Sequence, residues 1–165
     1  METKEIIMYA VIIIACVAPV VWFARTASSK SRLILKSIKA VAGKLPAQYD
    51  VWTDRGMAFD AATHRLVFVN NSQPEVITQV IQADEVIDAH VLVNGKKAAD
   101  SKKTIDPANV NTIVLQLICS SKDNREILLT FFDVNSDGPF HANIHYQLAR
   151  KWKKAILERP VLNHA

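Results

Sequence analysis

Residues 6–24, IIMYAVIIIACVAPVVWFA, carry no charged side chain over 19 positions. A helix of that length rises about 28 Å, close to the hydrocarbon thickness of a bilayer. Pro19 is compatible with a membrane helix, because neighbouring groups can satisfy the backbone it frees. Trp22 and Phe23 suit the interface where the run ends. A cleaved signal peptide is the rival reading, but its apolar core usually spans about 7–15 residues and follows more positive charge than Lys4 supplies. The expectation is a retained membrane helix over 6–24, preceded by a short extracytoplasmic stretch at 1–5.

The flanks set its direction. Seven of the 20 Lys/Arg and two of the 16 Asp/Glu lie in residues 1–48, a net +5, whereas residues 49–165 net −1. Arg25, Lys30, Arg32, Lys36, Lys39 and Lys44 follow the run with no acid before Asp50. Lys and Arg mark the cytoplasmic side. The predicted topology is N-terminus out and C-terminal domain cytoplasmic, as a single-pass protein of a bacterial-type cell inner membrane. The basicity belongs to this flank rather than to a folded face, so the membrane and not nucleic acid is the expected partner.

Residues 25–48 read as a basic juxtamembrane helix and linker. In KSRLILKSIKAVAGK, 30–44, Ile34, Ile38 and Val41 fall on one helical face and Arg32, Lys36 and Lys39 on the other. Such a helix can lie along an anionic membrane surface. It can equally pack on the following domain as a stalk. Gly43 and Pro46 close it.

Residues 49–159 change character. YDVWTD and GMAFD read as a strand pair, RLVFVN (65–70) and EVITQVIQ (75–82) as strands, and EVIDAHVLVNGKK (85–97) as a strand running into an Asn94-Gly95 hairpin turn. NTIVLQLIC (111–119) and REILLTFFD (125–133) follow. The period then becomes helical, with Ile144, Leu148, Trp152, Ala155 and Ile156 as the apolar stripe and Pro160 as the stop before a tail at 160–165. The predicted fold class is α+β: an N-terminal transmembrane helix, then a mostly antiparallel seven-stranded sheet or barrel closed by one C-terminal helix.

A strand such as EILLTFFD, then a loop, then a helix carrying WKKAIL resembles the end of a pleckstrin-homology-like (PH-like) domain. The resemblance implies a curved seven-stranded barrel plugged by the last helix, with Trp152 in the place of that helix's core tryptophan. One membrane span followed by such a domain is similar to uncharacterised bacterial membrane-anchored proteins. The family's phosphoinositide cluster lies between its first two strands. Here that region offers Arg55 and Arg65 beside Asp50, Asp54 and Asp60, so the resemblance implies a binding or scaffold module rather than headgroup recognition by that route.

Several residues invite chemistry. Asp133-x-Asn135-x-Asp137-Gly138 begins as a calcium loop begins, but position 12 is Ile144, where a bidentate Glu is needed. A polar turn leading into a helix fits better, with Pro139 at the helix start. His141 and His145 share a helix face but lack a third zinc ligand. Cys16 and Cys119 have no metal or redox spacing. Four dispersed glycines leave no phosphate loop, and no nucleophile motif accompanies Asp88 and His90. The chain is therefore read as non-enzymatic and without a cofactor. The expected function is a membrane-anchored cytoplasmic binding or scaffold domain with a protein partner. The alternative is an anionic-lipid module using helix 30–44 and the loop 96–103, with Lys96, Lys97, Lys102 and Lys103 beside the six juxtamembrane cations.

Overall fold

The computed structural model describes residues 29–72, 74–99, 101, 104–120 and 126–158. Eight strands lie among them: β1 (Gln48–Trp52), β2 (Arg55–Asp60), β3 (Arg65–Asn70), β4 (Ile77–Gln82), β5 (Val86–Val93), β6 (Lys96–Lys97), β7 (Thr112–Cys119) and β8 (Glu126–Asp133). Helix α1 covers residues 29–42. A single turn, α2 (Val134–Asp137), leads through a 3-10 turn at Pro139–His141 into α3 (Ala142–Leu157).

The strands form two four-stranded antiparallel sheets, ordered β1-β2-β3-β4 and β6-β5-β7-β8. This corrects the expected seven-stranded barrel. The additional strand is β6, which returns across the Asn94-Gly95 turn and pairs Lys96 with Val93 and Lys97 with Leu92. Both turn residues have positive φ, 50° and 75°, the conformation this two-residue hairpin requires. The chain changes sheet at the 3-10 turn Ala83–Glu85, where Ala83 N donates to His64 O.

The main core lies between the inner sheet faces and α3. Along β7 the buried residues alternate, Ile113, Leu115, Leu117 and Cys119 facing inward, as a half-buried strand dictates. Trp52, Phe68 and Phe131 form its aromatic centre, with the Trp52 and Phe131 rings stacked at 4.7 Å. The Trp52 indole N–H donates to Phe131 O at 3.0 Å and joins the two sheets.

β2 and β3 are buried on both faces, because α1 covers the outer one. Ile34 and Ile38 are fully buried against Ala58, Val67 and Val69. Helix 30–44 is therefore the stalk that packs on the domain, and its two isoleucines are not available to a bilayer. Val41, expected on the same face, is exposed at the helix end. Gly56 makes the close approach possible, since a Cβ there would collide with Ile34 Cγ2. The expected boundary near residue 49 is thus no break in packing.

The transmembrane helix expected over 6–24 lies outside the described residues, and among these no helix is long and apolar enough to cross a membrane. The stripe on α3 is rotated. Ala142, His145, Tyr146, Ala149, Trp152 and Ile156 are buried, while Ile144 is 64% exposed. Leu148 packs on the core's margin. The shift is about 100°, one residue of helix. It arises because Tyr146 and Trp152 supply the bulk that fills the space over β5, β7 and β8, and this carries His145 inward with them.

Candidate functional site

The polar turn after β8 is the most connected polar region among the described residues. Asp133 ends the strand in extended conformation and its side chain accepts from Asn135 N at 2.9 Å, capping α2. Asp137, one turn on, points inward. Arg55 Nη1 donates to both of its carboxylate oxygens, at 2.9 and 2.8 Å, and Asp133 N donates to Oδ2 at 2.8 Å. Arg55 Nη2 donates to Ser136 Oγ at 3.0 Å. The two charged side chains are 1% and 0% exposed. Arg55 is the first residue of β2, so this pair ties the first sheet to the turn that launches α3.

The calcium-like spacing is accounted for by this arrangement. Asp133 caps, Asn135 is exposed, and Asp137 is saturated by the guanidinium and a backbone N–H. Among the described residues no three His, Cys, Asp or Glu side chains converge as a metal centre needs.

The histidines close the same corner. His141 Nδ1 donates to Asp137 O at 2.7 Å. Its ring stacks on His145 with centroids 6.0 Å apart, and His145 in turn packs on Phe132. His145 is 3% exposed and its Nδ1 has no hydrogen-bond partner, as is true of Arg55 Nε. Burial pushes the His145 imidazole below its ordinary value. The Asp137 carboxylate opposes that shift, while His141 and Arg55 add to it. His90 and His64 instead sit beside carboxylates, of Asp88 at 3.2 Å and Asp84 at 3.3 Å. Cys119 is buried, and burial followed by the nearby Glu85 pushes its thiol up, away from nucleophilic reactivity. Cys16 lies outside the described residues.

The candidate lipid-facing cations divide by position. Arg32, Lys36 and Lys39 are exposed on the outer face of α1. Lys30 pairs with Asp54 at 2.9 Å. Lys44 follows the end of α1, and Lys96 and Lys97 are exposed on the β6 hairpin. Arg25, Lys102 and Lys103 lie outside the described residues.

Compared with known protein families, curated proteins and solved structures, the chain matches none. Functional inference therefore rests on the chain's own geometry. That geometry adds three residues that the sequence did not single out for these roles. In the sequence Arg55 stands only among the charged residues between the first two strands, Gly56 within a strand and Phe140 within the polar turn. Arg55 and Gly56 act through partners distant in sequence, which no local pattern signals. Phe140 does carry a weak signal, an aromatic residue directly after Gly-Pro in a polar turn.

Proposed function

We propose that this protein is a non-enzymatic, membrane-anchored binding or scaffold module, held by residues 6–24 with residues 25–165 on the cytoplasmic face. The observation that carries this reading is the uncharged run and the six cations after it. The packing of α1 lends support. Only residues 25–28 separate the run from a helix docked on the domain, so an anchored domain would be held close to the membrane. Such confinement raises effective concentration for partners in or near the bilayer without any reaction. The buried polar side chains Arg55, Asp60, Asp137 and His145 serve packing, internal charge pairing and turn hydrogen bonds, which fits a binding role better than a catalytic one. Membrane fractionation and external protease treatment of a C-terminally tagged chain test the topology. Digestion of the tag from outside would overturn it. Crosslinking in membranes then identifies the partner.

One observation favours a second reading. With Ile34 and Ile38 turned into the domain, Arg32, Lys36 and Lys39 remain outward as a basic ridge. Such a ridge suits electrostatic attraction to anionic lipid. Dependence of vesicle binding on anionic lipid, lost on reversing these three charges, would favour it.

A further inference from the structure

Phe140 is 90% exposed, the most exposed large hydrophobic residue among those described. Single exposed apolar residues are ordinary; what distinguishes this one is where and how it is held. It sits on the 3-10 turn Pro139–His141. The turn is braced on one side by the His141 Nδ1 bond to Asp137 O, and just beyond it by the bond from Ile105 N to Asn143 Oδ1 at 2.9 Å. Asp137 itself is locked to Arg55. The ring is therefore presented by a fixed scaffold, and Ile144 stands exposed four residues later.

The start of α1 lies at the same end of the fold, on the outer face of the first sheet. Lys30 bonds Asp54, Asp54 adjoins Arg55, and Arg55 holds Asp137, three residues before Phe140. The β5–β6 hairpin reaches it too: Asn111 N donates to Asn94 Oδ1 at 2.8 Å, and Val134 N donates to Asn111 O at 2.9 Å. Lys96 and Lys97 follow that turn. Asp106 and Asp133 also lie here, each accepting backbone N–H groups.

We propose that this corner rests on the bilayer, with Phe140 in the boundary between headgroups and acyl chains. The proposal rests on the reading of residues 6–24 as the anchor. Given that anchor, four residues, 25–28, separate it from the start of α1. Fully extended they span at most about 14 Å. The turns at 61–64 and 83–85 lie at the far end of β2 and β3, about 20 Å along the strands from the end that carries Lys30. The end that carries Lys30 is the part of the domain such a tether holds nearest the membrane, and an aromatic ring held there is suited to the interfacial region.

Spin labels on the full chain, reconstituted into phosphatidylcholine vesicles, test this. Labels are placed one at a time by Phe140→Cys, Ala61→Cys at the opposite end and Lys36→Cys on the outer face of α1, in a Cys16→Ala, Cys119→Ala background. The expected result is a several-fold higher ratio of oxygen to aqueous nickel-chelate accessibility at position 140 than at position 61. A label at 140 that stays aqueous while the chain remains with the vesicles overturns this contact and leaves the anchor standing. A label shielded from both reagents means that protein, such as a second copy, covers the ring, and overturns it as well. A lipid signature at 36 with water at 140 assigns the bilayer contact to α1 instead. A chain that leaves the vesicles altogether overturns the anchor, and this proposal with it.

Discussion

Arg55 and Asp137, 82 residues apart, meet in a fully buried ion pair, one guanidinium nitrogen bridging both carboxylate oxygens at 2.9 and 2.8 Å. Removing one partner of such a pair strands the other charge, typically at a cost of about 3–5 kcal/mol. Asp137→Ala should destabilise by that order, read from the denaturant midpoint. Arg55→Met combined with Asp137→Leu should lose far less, because no unpaired charge remains. Equal losses in the single and double variants would mean that packing, not charge, holds the corner.

Calcium should leave the melting temperature of the wild-type chain unchanged, because both Asp137 oxygens are engaged by Arg55 and Asp133 N. A ligand at 100 times its dissociation constant adds about 2.7 kcal/mol, so an occupied site would be visible in a melt. Asp133→Ala should cost about 0.5–2 kcal/mol as a lost helix cap, with or without the metal. A calcium-dependent rise that Asp133→Ala abolishes would restore the metal reading.

Gly56→Ala should loosen α1, since the new methyl meets Ile34 Cγ2. Overpacking of this kind typically costs about 1–3 kcal/mol. Adding Ile34→Ala to Gly56→Ala should then cost much less than Ile34→Ala alone, because the two side chains compete for one space. Strictly additive losses in a double-mutant cycle would refute the contact.

The rotated face of α3 separates two substitutions. Trp152 is fully buried, and its loss to alanine should cost about 3–5 kcal/mol. Ile144→Ala should change stability by no more than about 0.5 kcal/mol, as expected of an exposed site. Comparable losses at both positions would put Ile144 back in the core.

His145 ties stability to pH. Its folded-state value is lowered from 6.5, so below about pH 6.5 the unfolded chain binds a proton that the folded chain resists. Stability from this group is full above that pH. It falls as pH drops toward the folded value, by at most about 1.4 kcal/mol per pH unit, and is constant below it. His145→Gln should flatten this slope between pH 6.5 and the folded value. An unchanged slope would assign the dependence to another group.

The strands at 65–70 and 112–119, the Asn94-Gly95 turn and the end of α1 before Gly43 were legible because they follow from neighbours in sequence. Alternation, β-branching and positive φ act over two to four residues. The local pattern also separated the helical C-terminus from the strands before it. The face of α3 was not legible. Ile144 and His145 differ by one residue of rotation, and hydrophobicity alone favoured the isoleucine, whereas the cavity over β5, β7 and β8 takes Tyr146 and Trp152 and turns His145 inward. The two-sheet division, the docking of Ile34 against Gly56, and the meeting of Arg55 with Asp137 were decided only by tertiary structure. Each depends on a partner dozens of residues away, and burial there reverses what the side chain would do in water: a cation becomes a brace, a calcium-like acid its counter-ion, and an amphipathic helix part of the domain.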